Sequence, residues 1–394
     1  MHLSLTDLCI LGLFLSSVSA VPTTRNNDKK NRATTYSECQ KLKPQGEQLN
    51  GCPEGTLYVS QTDPQANYGS IQKAIMSLPN DNSAHHILIG QGNYHEVLNI
   101  SRPGPLALLG MTEWPDKWEK NQVYVWNSSF INQSTQATTG LHNSDAAVLT
   151  VAPINGGFGN TDFKAYNIDF ANRATVNGVE IKNQTGPSAA VFTTASNTSF
   201  YGCSFKSYQD TVYVGRNSSA FFFGGAVYGY TDYLYGYGTA WFEGATMGNR
   251  GCGGGIIAWK GGETAAARQG THFGVYQANG KVVRADDAIE DLTKRCPLGR
   301  PWNNASVSIY KNTYMSEIVL PQGFVAWSDK EPRVVPGLTV FGEYGSYGPG
   351  WVPEARNTSV QAVFTEQQAQ EYTVEKMFGG MPAWIDLGTA TIGN

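Results

Sequence analysis

The chain has 394 residues, with 28 Lys and Arg against 32 Asp and Glu for a formal net charge of −4. That balance provides no basic footprint for nucleic acid. The length suits one large solenoid or two ordinary domains, and 44 Gly, 20 Tyr and 17 Phe among few charges favour a solenoid of short strands and turns.

Residues 1–20 are organised as a secretory signal. Leu8-Cys9-Ile10-Leu11-Gly12-Leu13-Phe14-Leu15 is its apolar core, and Val18-Ser19-Ala20 supplies the small residues a signal peptidase requires. The apolar run is too short for a membrane span and no second one follows, so the expectation is a secreted, extracellular protein with no membrane association. Asn-X-Ser/Thr sequons at Asn99, Asn127, Asn132, Asn183, Asn197, Asn217, Asn304 and Asn357 agree with a eukaryotic secretory route. Residues 21–50 read as a polar arm, disordered over 21–38, and the folded domain is expected over 51–394.

Within that domain a first strand starts at 58–60. Residues 70–79 form an amphipathic helix stopped by Pro79, with Ile71, Ala74, Ile75 and Leu78 on its apolar face. This helix is expected to cap the first coil, whose backbone edges are otherwise unpaired. Strands are expected at 86–89, 106–109, 123–126, 147–151, 163–170 and 189–194.

The next segment repeats itself. Phe200 through Val212 matches Phe222 through Leu234 at an offset of 22, which sets Phe200 on Phe222, Gly202 on Gly224, Tyr208 on Tyr230 and Asp210 on Asp232. A third, imperfect copy begins at Trp241, with Gly244 twenty residues after Gly224. A period in the low twenties fits one coil of a parallel β-helix, whose neighbouring coils are about 4.8 Å apart. Gly251-Cys252-Gly253-Gly254-Gly255 lacks the Gly-Lys-Ser/Thr ending of a phosphate loop and reads as a tight turn. Residues 260–295 read as a loop excursion, 306–310 as a strand, and 365–376 as a helical tail packed back on the barrel.

Removing Cys9 with the signal leaves Cys39, Cys52, Cys203, Cys252 and Cys296. Cys39 and Cys52 are close enough in sequence to staple the amino-terminal strand, and Cys252 and Cys296 flank one excursion and could pair across it. Cys203 aligns with Gly225 and reads as a small buried filler. Five His remain after the signal, with no CxxC pair and no His cluster, so no metal and no other cofactor is expected.

Stacked Asp210 and Asp232 suit acid–base or covalent catalysis, or they are turn residues repeated because the coil repeats. There is no Gly-X-Ser-X-Gly elbow, no His-Glu-X-X-His, and no His within the repeat coils to complete a Ser-His-Asp triad. Carboxylates, a cation and amides remain.

Gln209-Asp210-Thr211-Val212-Tyr213, Asp232-Tyr233-Leu234-Tyr235-Gly236 and Leu298-Gly299-Arg300-Pro301-Trp302 resemble the three central motifs of pectin methylesterases. Gly92-Asn93-Tyr94-His95-Glu96, Gly323-Phe324-Val325-Ala326-Trp327, and Glu343-Tyr344-Gly345 through Gly348-Pro349-Gly350 follow the same family order. The resemblance spans residues 57–385 and is greatest to the fungal branch. It implies an all-β, right-handed parallel β-helix that acts on pectin as a carboxylic ester hydrolase, and a capped solenoid is expected to be a monomer. It also implies Asp232 as nucleophile, held ionised by Arg300, with Asp210 as general acid and then base. Gln209 would donate to the oxyanion, and Trp302 would offer a face to a sugar ring, with Tyr213, Tyr233 and Tyr235 as further substrate contacts. Where the family favours Phe, this chain has Tyr233 and Tyr235.

One departure stands out. Family members carry a second glutamine one coil below the Gln-Asp-Thr motif, and here Ala189 occupies that position, 21 residues before Asp210. Gln184 is the nearest amide able to compensate, with Ser188 and Thr193 weaker donors. This leaves two rivals to an esterase: a catalytically weak, pectin-binding homologue, and a β-helix glycoside hydrolase built on the same carboxylate pair.

Overall fold

The computed structural model describes residues 36–393, apart from 133, 135, 174, 177–178, 181–185 and 263–272. The expected signal, residues 21–35 of the arm, and Gln184 with its neighbouring sequon at Asn183 lie outside the described residues.

Among the described residues the strands form three parallel sheets of eleven, eight and seven strands, each coil contributing in turn to each face, and one two-stranded antiparallel pair outside them. This is a parallel β-helix, as the repeat required. The period is realised as register: Phe200 pairs with Phe222, Ser204 with Ala226 and Val212 with Leu234. The third copy then pairs Phe222 with Phe242. Inward positions stack like on like, with Phe200 over Phe222 at 4.9 Å and Phe222 over Phe242 at 4.2 Å between ring centroids. In-register rings both fill the interior and fix the register, because a one-residue slip would turn every ring outward.

Helix Ile71–Ser77 covers the first coil, burying Ile71, Ala74 and Ile75 in the interior cluster. Its amino terminus is closed twice. Ser70 accepts from the Lys73 amide, and the Glu96 carboxylate accepts from the Ser70 hydroxyl and from the amides of Ile71 and Gln72. An anion at that end suits the helix dipole. At the other extreme the tail runs as helices Glu366–Ala369 and Val374–Phe378. It buries Val374, Met377, Ile385 and Ala390 against the outward Tyr166, Tyr201, Phe221, Trp241 and Tyr276 of the eleven-stranded sheet.

Three expectations change. The segment 163–170 is two strands, Phe163–Tyr166 and Asp169–Asn172, because Asn167 adopts φ 52° and turns the chain from one face to the next. The segment 260–295 is more than a loop: Gly274–Ala278 and Lys281–Arg284 are barrel strands, each only four or five residues long. The strand expected at 189–194 is confined to Val191–Thr193. The arm beyond its part expected to be disordered, 21–38, packs on the domain. Helix Ser37–Gln40 lies on the barrel, where the Gln40 amide donates to Gly110 O and Asn167 Oδ1, and the Cys39–Cys52 disulfide anchors it.

Candidate active site

The seven-stranded sheet carries the cleft. Outward residues Phe192, Tyr213, Tyr235, Ala258 and Arg300 form one row, each paired with the next coil. The rings of Phe192 and Tyr213 stack at 4.3 Å, those of Tyr213 and Tyr235 lie 4.7 Å apart, and Tyr235 and Trp302 are separated by 6.0 Å. Ala258 interrupts the aromatic row. Its methyl group leaves room above the strand for the Arg300 side chain to reach back to Asp232.

Asp210 and Asp232 each sit two residues before a strand of this sheet, Val212–Val214 and Leu234–Gly236. Both are in the left-handed region, with φ 59° and 46°, which Asp tolerates better than most side chains. They are turn residues repeated with the coil, and the same turn presents both carboxylates to one cleft. The Asp210 amide donates to Thr231 O, and the preceding Gln209 is bridged to Thr231, so the two turns are adjacent rungs.

Arg300 distinguishes the carboxylates. Its Nε donates to Asp232 Oδ1 at 3.0 Å and its Nη2 to Oδ2 at 2.7 Å, a bidentate pair, while the Gly255 amide donates to Oδ1 at 3.2 Å. Asp210 is bound instead by Asn143, whose Nδ2 donates to Oδ2 at 3.1 Å. Asp210 and Asp232 are only 8% and 7% exposed, so burial raises the pKa of both. For Asp210 the charge of Asp232 adds to burial, and its carboxyl lies well above the usual range. For Asp232 the guanidinium and the Gly255 amide oppose the rise.

A glycine-rich loop closes this side of the cleft. Gly254 has φ 155°, and a Cβ there would lie 2.9 Å from both Asp232 Oδ1 and Arg300 Nη2. The loop is glycine because its backbone passes against the ion pair. The Cys252–Cys296 disulfide ties it to the segment leading into strand Gly299–Pro301. Cys203 is free and buried, with its thiol pushed up to about 12 by burial, as befits a filler.

The cleft is lined by Gln136, Asn143, Pro187, Gln209, Asp210, Asp232, Tyr235, Ala258, Trp302 and Trp327. Of the residues expected from sequence, Gln209, Asp210, Asp232, Tyr235 and Trp302 meet here, and Arg300 is joined to them through Asp232. Tyr213 flanks the cleft in the aromatic row without lining it. Two expectations are corrected. Tyr233 is fully buried in the interior cluster beside Leu234, because the turn at Asp232 directs it inward and only Tyr235 faces out. Ala189 is also fully buried and does not line the cleft. The residue bridged to Gln209 from the coil below is Pro187, 22 positions back, whereas Val191 pairs with Val212 at 21. One residue is thus absorbed between 187 and 191, and counting back a fixed 21 lands in the wall rather than the cleft.

Gln136, Asn143 and Trp327 were not singled out as site residues. Trp327 lay within a motif, and its ring carries the Arg300 and Arg333 guanidinium groups at 4.2 and 4.3 Å. Gln136 and Asn143 come from helix Gln136–Thr139 and the 3₁₀ turn Asn143–Ala146, outside the repeat, where no spacing signalled them.

Fold and cleft together place the chain among the parallel β-helix enzymes. Within that class it belongs to the pectinesterase family, whose model matches residues 57–381. It is 28% identical to probable pectinesterase A of Neosartorya fischeri over 350 residues, covering 89% of this chain and 90% of that protein. It is 27% identical to pectinesterase A of Emericella nidulans, over 85% of this chain and 89% of that one. Among solved structures it resembles a pectin methylesterase from Aspergillus niger with a TM-score of 0.67 at 23% identity, over 84% of this chain and 95% of that one. It also resembles pectin methylesterase from carrot, at 0.68 and 20%, over 86% and 97%.

Proposed function

We propose that the protein is a secreted pectin methylesterase that hydrolyses methyl esters of homogalacturonan to demethylated pectin and methanol. The observation that carries this reading is the asymmetry of the carboxylates: Arg300 clamps Asp232 through both oxygens, while Asp210, in the same cleft, is paired with no cation among the described residues. A clamped carboxylate stays ionised and can attack, and its raised neighbour holds a proton it can give away. Asp232 attacks the ester carbonyl, and Asp210 protonates the departing methanol. Asp210 then takes a proton from the water that cleaves the acyl-enzyme and releases Asp232. Gln209, beside Asp210 in the lining of the cleft, would donate from its side-chain amide to the oxyanion. Trp302 and Tyr235 supply apolar faces for the sugar. A related structure of a pectin methylesterase in complex with a hexasaccharide, at a TM-score of 0.64, supports a carbohydrate chain as the ligand. The signal-like residues 1–20 and the sequons support export.

The test is methanol release from methyl-esterified pectin by the wild type and by Asp232→Asn and Asp210→Asn. The expected result is release by the wild type and losses of about 10⁴-fold in both variants. New reducing ends without methanol would replace this reading with glycoside hydrolysis. Binding of pectin without either product would favour the inactive-homologue reading, whose motive is that Pro187, the cleft residue bridged to Gln209 from the coil below, carries no amide.

A further inference from the structure

Asn143 is the cleft residue for which the repeat has no account. It stands on a turn outside the repeat coils, and its Nδ2 lies 3.1 Å from Asp210 Oδ2 and 3.3 Å from the Tyr235 hydroxyl. One amide nitrogen therefore spans the carboxylate and the phenol. The turn that holds it is fixed from below: the His142 amide donates to Asp145 Oδ2 at 2.7 Å, and the Asn172 amide donates to Ala146 O at 2.6 Å. Asn172 Nδ2 also donates to Ala189 O, so the turn is tied to the coil beneath the cleft.

Resting on the reading above, we propose that Asn143, held in place by the Tyr235 hydroxyl, is a positioning residue for the general acid Asp210. The NH2 group of an amide donates and does not accept, so the hydrogen bond from Asn143 Nδ2 reserves Oδ2 as an acceptor. The transferable proton is then carried on Oδ1. During acylation the Oδ1–H bond breaks as the ester C–O bond breaks, and the proton passes to the methanol oxygen. During deacylation Oδ1 takes the proton of the attacking water, and the new C–O bond replaces the bond to Asp232. In both half-reactions Oδ2 keeps the same partner, so Asp210 turns over without changing rotamer. The partner position, 235, holds a tyrosine, whose hydroxyl this arrangement needs. A phenylalanine there offers no oxygen to hold the amide.

The bond also sets the working range. The charged and titratable groups facing Asp210 are Asp232 from the next coil, Arg300 beyond it, and the Tyr235 hydroxyl. Asp232 and burial raise the pKa of Asp210, and Arg300 lowers it from across the pair. A donor on Oδ2 stabilises the anion, so removing it moves the titration upward.

The experiment is methanol release by the wild type, Asn143→Ala, Tyr235→Phe and the double variant across the pH range, beside a carboxyl carbon-13 NMR titration of Asp210 that needs no turnover. Acylation requires protonated Asp210, so the basic limb of kcat/KM reports that group. The expected result for Asn143→Ala is a kcat lower by about tenfold, an unchanged KM, and a basic limb and Asp210 titration moved up by about one pH unit. Tyr235→Phe should move both in the same direction by less, and the double variant should resemble Asn143→Ala alone. An unmoved titration, a loss confined to KM, or additive effects would each overturn the proposal. Should Asn143→Ala fail to fold, Tyr235→Phe alone decides through the same titration. Absence of methanol from the wild type would instead refute the esterase reading, and the NMR shift would still judge the role of Asn143.

Discussion

Pro187 is the cleft residue on the rung below Gln209. It is bridged to Gln209 and lines the cleft, yet its ring offers neither a side-chain amide nor a backbone N–H. Pro187→Gln should therefore raise turnover, by up to the 10²–10³-fold that one oxyanion donor typically contributes, with little change in affinity for demethylated oligosaccharide. Ala189→Gln should do the opposite of what a count along the sequence suggests. Position 189 is fully buried, so the larger, polar side chain should lower the melting temperature without raising methanol release. A faster Ala189→Gln variant would overturn this placement. Asp210 and Asp232 were legible from the 22-residue repeat, and Gln209, Tyr235, Arg300 and Trp302 only from the resemblance of their motifs to those of pectin methylesterases. Asn143 was not, since its partner Asp210 is 67 residues away and its turn repeats nothing. The slip between Pro187 and Ala189 was equally hidden, because one residue absorbed between bridges leaves the apolar pattern intact.

Among the elements, the glycine loop and its disulfide matter most for the chemistry. Gly254→Ala would force a Cβ into the Asp232–Arg300 pair in a backbone conformation that L-residues rarely adopt. It should lower methanol release at least tenfold, with a larger effect on kcat than on KM, and it should also lower the melting temperature. Reduction of Cys252–Cys296, or its replacement by a serine pair, should destabilise the protein by about 2–4 kcal/mol, read from thermal or urea unfolding. Activity should fall before global unfolding, because Gly255 loses its fixed distance to Asp232. Both pairings were readable as possibilities from spacing. The turn at Asn167 and the strands within 260–295 were not. In so polar a stretch, strands of four or five residues give too few alternations to stand out from a loop.

At the scale of the whole molecule, the buried carboxyls make stability depend on pH. Asp210 holds its proton more tightly when folded than when unfolded, where its pKa is near 3.8, and Asp232 is raised in the same direction. The stability linked to them is therefore complete below the unfolded value and is lost as pH rises through the folded one. Asp210→Asn should melt higher than the wild type near pH 7.5, and the gap should narrow towards pH 4; a constant gap would refute the linkage. The fold itself was open to view in the 22-residue offset, since a solenoid writes each coil twice and the register then follows. That same offset bears on ancestry. A lone aspartate in a left-handed turn is an inert structural detail on a single coil. Copying that coil once yields a second aspartate on the next rung, at the spacing of neighbouring strands, with no further invention. What then has to arise is asymmetry, and one arginine on a later coil, reaching over an alanine, is enough to make the two copies unequal.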